Sequence, residues 1–133
     1  MEELMMESAQ QVLDAVTAAA RDRGFAVNIA VVDASGHLVA FRRMDDALVG
    51  PIDVSIKKAR TAALFGTDSA ALGEGARPGG AIYTLEHTNG GLISFGGGVL
   101  LRDASQTLGA VGVAGATVEM DEELARLGAA ALS

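Results

Sequence analysis

The amino-acid composition requires closely packed secondary-structure elements. Glycine accounts for 17 of the 133 residues, whereas the chain has no tryptophan, one tyrosine and four phenylalanines. Average proteins contain about 7% glycine. The core must therefore be built from alanine, valine, leucine and isoleucine, and small side chains let helices and strands approach closely. Apolar surface that such a fold leaves uncovered favours a homo-oligomer, either a dimer or a larger assembly.

Length, cysteine content and charge restrict the class of protein further. The length suits one domain, which we expect to span residues 1–133. The absence of cysteine excludes a thiol nucleophile, a zinc ribbon and an iron–sulfur cluster. A net charge of −7 opposes binding to nucleic acid or to an anionic membrane surface. The acidic N-terminus is unlike a signal peptide, so we expect a cytoplasmic protein.

Hydrophobic periodicity predicts helices packed on a mainly antiparallel sheet. Strands that are joined by short turns pair antiparallel, because parallel neighbours need long crossovers. We therefore predict the α/β class, with a central five-stranded sheet in a sandwich with helices. The predicted elements are helix 4–23, strands 26–32 and 37–42, a helix between Pro51 and Gly66, a short helix 68–72, a loop 73–80, extended segments 82–86, 92–95, 99–102 and 108–114, and a final helix capped by Thr117.

Several motifs, in matching order along nearly the whole chain, carry a resemblance to a known family. Together they resemble the GlcG/HbpS family, and the segment 83–98 is similar in particular to its PduO C-terminal branch. The motifs are residues 31–45 (VVDASGHLVAFRRMD), residues 58–62 (KARTA), the three glycines Gly96, Gly97 and Gly98, which we call the glycine run, and residues 109–115 (GAVGVAG).

The resemblance implies a profilin-like α/β/α sandwich that assembles into dimers or larger rings. It also implies haem binding in some members, with an associated haem-degrading label, while other members accompany small-molecule catabolism. The sequence departs from the family pattern at residues 99–101, where a proline often follows the glycine run, and at residues 114–116, where Ser-Gly-Gly is frequent. The first departure bears on the identity of the ligand.

Two histidines are the candidate haem ligands. His37 lies in the longest matched motif and opens the second predicted strand, whereas His87 follows Glu86 in a predicted turn. Each is either an exposed turn residue or a ligand of haem iron. We rank His37 first, because the resemblance places it within the longest motif. Met44 is a further donor to iron.

A haem site also needs an apolar slot and cations for the two propionates. Arg43, Lys58 and Arg60 supply candidate cations, and guanidinium groups suit carboxylates because they form two parallel hydrogen bonds. Each of them is otherwise an ordinary surface cation. The glycine run is either a bulge in a strand or a nest of backbone N–H groups that receives a carboxylate.

Two other functions remain open. In a cofactor-independent lyase, isomerase or hydrolase acting on a small organic acid, Arg43 or Arg60 would bind the carboxylate. His37, Asp45 or Glu86 would then move a proton. Alternatively, the chain is a non-catalytic assembly subunit. Both ligand-binding hypotheses require that residues 36–45, the cationic helix and the glycine run surround a common hollow.

Overall fold

The computed structural model describes residue 4 and residues 6–132. Within this part of the chain the fold alternates helices with antiparallel strands. The elements are α1 (Met6–Asp22), β1 (Asn28–Asp33), β2 (Leu38–Arg43), α2 (Pro51–Phe65), α3 (Ser69–Ala76), a 3-10 helix (Leu85–His87), β3 (Gly98–Asp103), β4 (Gln106–Ala114) and α4 (Val118–Ala130).

The sheet has the strand order β2-β1-β4-β3, and every neighbouring pair is antiparallel. The prediction of an antiparallel α/β fold is confirmed, but the prediction of five strands was wrong, since the sheet has four. Residues 82–86 form turns and the start of the 3-10 helix, and residues 92–95 join no ladder. Their backbone donors find other acceptors: the N–H of Ile93 donates to Thr61 Oγ1 over 3.0 Å.

Helices cover both faces of the sheet. One face packs against α1 and α4 through apolar side chains such as Val31, Val111 and Leu124. The other face packs against α2 through a thinner layer that is rich in alanine, including Ala30, Ala59 and Ala62. The layers therefore run helix, sheet, helix, and the glycine and alanine content of the sequence is concentrated on the α2 side.

Glycines allow α2 to lie very close to the sheet. A Cβ atom on Gly112 of β4 would lie 2.0 Å from the carbonyl oxygen of Ser55, and one on Gly98 would lie 2.2 Å from that of Lys58. Real Cβ atoms do not approach backbone oxygen so closely, so neither position accepts a side chain without moving the helix. These two contacts fix the position of α2 over β4 and β3.

The helix ends follow the sequence with one exception. Gly66 ends α2 in the left-handed conformation at φ 64°, and the hydroxyl of Thr117 accepts the N–H of Met120 over 3.1 Å at the start of α4. However, α3 continues to Ala76 instead of ending at residue 72. Gly73 lets α3 lie against the carbonyl of Ser94, because a Cβ atom at this position would collide with that oxygen. No helix in the described residues is both long and apolar enough to span a bilayer.

Candidate functional site

The glycine run covers a buried lysine. Lys58, on α2, is 1% exposed. Its Nζ donates to the carbonyl oxygen of Val113 over 2.8 Å and to Asp121 Oδ2 over 3.0 Å. The same atom lies 5.2 Å from the centroid of the Phe95 ring, which precedes the glycine run. Because Gly97 has a φ of 124° and lies against Lys58, a side chain there would collide with the ammonium group.

Two acidic residues of α4 complete this buried cluster. Asp121 Oδ1 accepts the N–H of Ala116 over 3.0 Å, and Glu122 Oε1 accepts the N–H of Gly97 over 2.8 Å. Burial lowers the pKa of Lys58, and the carboxylate of Asp121 opposes this shift. Lys58 therefore joins α2, β4 and α4 inside the protein and has no free face for a propionate.

An open pocket of about 590 Å³ lies beside the glycine run. We call it the aromatic pocket, because the rings of Tyr83 and Phe95 line it. Glu86, Arg77 and Gly96 line it as well, so two of the residues predicted from the sequence, Glu86 and Gly96, meet here. The pocket combines apolar surface with a small number of charged groups, which is typical of small-molecule sites.

The polar groups of the aromatic pocket differ in how far they are engaged. The hydroxyl of Ser94 donates to Glu86 Oε2. Arg77 pairs with Glu74 over 2.6 Å at an exposed position. Tyr83 is 54% exposed, and its hydroxyl makes no hydrogen bond within the described part of the chain. Tyr83 and Arg77 can therefore turn toward a ligand at little cost.

A second open pocket, of about 400 Å³, lies between α1 and the end of β2. We call it the arginine pocket, because Arg21, Arg42 and Arg43 line it together with Met44 and Asp45. Met44 is buried, and its Sδ accepts the N–H of Val27 over 3.4 Å.

One cation of the arginine pocket is already engaged within the protein. The guanidinium of Arg42 donates to Asp14 and to Thr17, each over 3.0 Å. The walls of this pocket are mostly charged, and Arg42 and Asp14 form an ion pair within it.

The remaining predicted residues line neither pocket. The side chain of His37 is 82% exposed and lies 3.9 Å from Asp33, and His87 is exposed on the 3-10 helix. Arg60 donates to the carbonyl oxygen of Asn89 over 2.6 Å, while Gly98 pairs within β3 against α2. The structure therefore does not surround these two pockets with all three predicted segments: Arg43, Met44 and Asp45 lie at one pocket, and Glu86 and Gly96 at the other.

Sequence reasoning missed the residues that contribute most to the aromatic pocket. Tyr83 is the only tyrosine and Phe95 one of four phenylalanines, so the scarcity of aromatic side chains was the available signal. Asp121 carried no such signal, because an acid in the first turns of a helix has an ordinary role there. No group of three or more acidic or histidine side chains in the described residues could hold a metal ion.

The fold is that of a small layered α/β protein with two open pockets at its surface. A family model described as haem degrading protein HbpS-like matches residues 4–130. The chain belongs to this HbpS-like family, which confirms the resemblance inferred from the motifs.

Three similar proteins illustrate the range of the family. A 15.0 kDa protein from the dhaT–dhaS intergenic region of Citrobacter freundii is 36% identical over 123 residues, which are 92% of this chain and 87% of that protein. The corrinoid adenosyltransferase PduO of Citrobacter freundii is 34% identical over 131 residues, which are 98% of this chain but only 39% of PduO. The solved PduOC:haem complex has a TM-score of 0.92 and 33% identity, and the match covers 98% of this chain and 95% of that chain.

Proposed function

We propose that this protein binds haem, or a related planar ligand, in the aromatic pocket. The observation that carries the proposal is a pocket walled by Tyr83 and Phe95 in a fold that closely matches the PduOC:haem complex. A porphyrin is a flat apolar ring with two carboxylates, so it requires aromatic or aliphatic walls and a cation at the rim. Arg77 is the cation at the rim of this pocket.

The residues of the aromatic pocket fit such a ligand. The volume of about 590 Å³ lies within the range of about 300–1,000 Å³ that is usual for ligand sites. Gly96 lines the pocket beside Phe95, and a Cβ atom on it would meet Glu122 and Val118 of α4. Haem, when bound, would supply an iron centre whose chemistry is set by its axial ligand. The protein would supply stacking from the Phe95 ring and a charge-assisted hydrogen bond from Arg77.

The arginine pocket is a weaker candidate for the same ligand. Its walls are mostly charged, and Arg42 is already bound to Asp14. The only sulfur donor there, Met44 Sδ, already accepts a backbone N–H. For a small-acid enzyme, Arg43 and Asp45 line the arginine pocket together, whereas Glu86 lies at the aromatic pocket.

We further propose that the chain associates with a second copy of itself. Several large apolar side chains are exposed at the start of β2, on the loop before α2 and at the end of α2. Covering them would remove apolar area from water, which favours association. The exposed side chains are Leu38, Leu48, Val49, Leu64 and Phe65. Sedimentation velocity of the purified protein measures the mass directly, and a monomer at all concentrations would contradict this proposal.

Titration of the purified protein with hemin tests the haem proposal. We expect a shifted Soret band that saturates at a fixed ratio of hemin to protein. Arg77→Ala should weaken binding about 5- to 10-fold, which corresponds to about 1–1.4 kcal/mol. Arg43→Ala, in the arginine pocket, is the matched control and should bind as the unchanged protein does.

Two results would contradict this assignment. Absence of a shifted Soret band would remove haem binding altogether. Loss of affinity in Arg43→Ala but not in Arg77→Ala would move the site to the arginine pocket.

A further inference from the structure

We propose that Tyr83 is the residue that coordinates the iron, through its phenolate oxygen. The inference rests on the proposed haem binding and identifies the group that contacts the metal. Tyrosine is one of the side chains that serve as axial ligands of haem iron in proteins. Tyr83 is the only tyrosine of the chain, and it lines the aromatic pocket together with Phe95.

Tyr83 is the donor that the described structure leaves free at this pocket. Its hydroxyl has no hydrogen-bond partner within the described residues. The two carboxylates that line the pocket are both engaged: Glu74 pairs with Arg77, and Glu86 accepts the hydroxyl of Ser94. A metal ligand that must first break an internal hydrogen bond binds less favourably, because the broken bond has to be replaced. Tyr83 has no such cost.

The histidines and Met44 are poorer donors at this place. His37 and His87 do not line the aromatic pocket. Met44 lies at the arginine pocket, where its sulfur accepts the N–H of Val27. A histidine would therefore need a rearrangement of its segment, or a contribution from another copy of the chain, to reach a ligand in the aromatic pocket.

The backbone holds Tyr83 against α3. The N–H of Ile82 donates to the carbonyl oxygen of Gly75 over 2.9 Å, and the N–H of Leu85 donates to that of Ile82 over 3.0 Å. Thr84, between them in sequence, has a left-handed backbone at φ 81°. Such a conformation is unfavourable for a non-glycine residue and persists only where the surroundings enforce it. The position of the tyrosine is therefore set by the fold and not by the ligand.

Coordination by tyrosine has a defined proton balance. At a pH where ferric hemin carries water and not hydroxide, the Oη–H bond of Tyr83 would break and the phenolate oxygen would replace that water. The displaced water and the proton would pass to the solvent, and the iron would remain ferric. Hemin binding should thus release one more proton from the unchanged protein than from a variant without the phenol hydroxyl.

The test compares Tyr83→Phe with His37→Ala and His87→Ala. Tyr83→Phe keeps the ring on the pocket wall and removes only an exposed hydroxyl, so the variant should fold normally. We expect about a tenfold loss of hemin affinity, a changed electron paramagnetic resonance signal of the ferric iron, and loss of the released proton in a weakly buffered titration. The two histidine variants should retain the signal and the proton release of the unchanged protein.

The outcomes separate the inference from the proposed function. If the unchanged protein binds no hemin, haem binding itself is wrong. If it binds hemin and Tyr83→Phe leaves both the resonance signal and the proton release unchanged, Tyr83 is not the ligand. If His37→Ala or His87→Ala alone changes the resonance signal, a histidine coordinates the iron instead.

Discussion

Two regions of the molecule each contain an ion pair between a basic side chain and an aspartate, but the two pairs differ in burial. Near the glycine run, Lys58 and Asp121 form an ion pair of 3.0 Å with side chains 1% and 5% exposed. At the arginine pocket, Arg42 and Asp14 form a pair of the same length with side chains 30% and 64% exposed. The two ion pairs therefore have the same nitrogen–oxygen distance but differ strongly in solvent exposure. An exposed pair contributes about 0–1 kcal/mol, whereas breaking a buried pair costs several times more.

The difference shows that the number of internal partners decides whether a charged side chain supports the fold or remains available to a ligand. Lys58 has a carbonyl, a carboxylate and an aromatic ring around its ammonium group. Lys57, its neighbour in sequence, has only a surface pair with Asp53 over 3.0 Å. Lys58 is therefore expected to support the structure, while the charged groups that remain at the surface are available for ligands.

Lys58→Met should have the largest effect on stability. The substitution leaves Asp121 buried without its cation, so we expect the free energy of unfolding to fall by about 3–5 kcal/mol. Urea denaturation followed by circular dichroism measures this loss. Lys57→Met is the matched control on the same helix and should change stability by less than about 0.5 kcal/mol.

The double variant Lys58→Met with Asp121→Leu keeps this test decisive if the single variant does not fold. Removing both charges of a buried pair is often neutral, so the double variant should recover most of the lost stability. Equal losses in Lys57→Met and Lys58→Met would show that the two environments do not differ as the structure indicates.

Gly97→Ala should have the second largest effect. A Cβ atom there would lie 2.5 Å from Lys58 Nζ and 2.7 Å from the carbonyl oxygen of Val113, at a φ of 124°. Backbone strain and overpacking together should cost about 3 kcal/mol.

Gly24→Ala separates these two contributions. Gly24 also has a positive φ, of 78°, but nothing lies within 4 Å of the added atom. It should lose only about 1–2 kcal/mol from strain. Urea denaturation of both variants gives the difference, and equal losses would exclude a contribution from the contact with Lys58.

His37→Ala should have the smallest effect. Its side chain is 82% exposed and its only ionic contact is with Asp33 at 3.9 Å. Exposed contacts of this kind contribute little, so we expect a change below about 0.5 kcal/mol in the urea denaturation. A loss above about 1 kcal/mol would mean that His37 is buried by a partner in solution, which would favour self-association through the β1–β2 turn.

The sequence predicted those elements whose signals are local. The apolar run of β1, the glycine that ends α2 and the threonine that caps α4 each act over a few residues, and each appears in the structure. Residues 82–86 and 92–95 carried a strand pattern, but their backbone donors bond within turns or to the side chain of Thr61. Tertiary contacts there replaced the sheet partners that the pattern implied.

The candidate site was harder to predict because it depends on pairings far apart in sequence. Lys58 and Asp121 are 63 positions apart, and neither residue reveals its partner. Lys58 was therefore expected to face a ligand, whereas it is buried beneath the glycine run. Glu86 and Gly96, which the motif singled out, both lie at the aromatic pocket. Tyr83 lies in the same motif but was assigned no role.

Gly98 and Gly112 let α2 lie directly on the backbone of the sheet. We call this contact the seam, and it limits how the sequence of the protein can vary. A methyl group at either position would lift the helix and carry the ammonium of Lys58 away from Val113, so variation at that seam is coupled to loss of the fold. Residues 77, 83 and 86 line the aromatic pocket outside this contact and can change one at a time, whereas Phe95 also faces the ammonium of Lys58. New ligand preferences should therefore arise, in nature or in a designed library, from substitutions at these pocket residues while the residues of the seam stay constant.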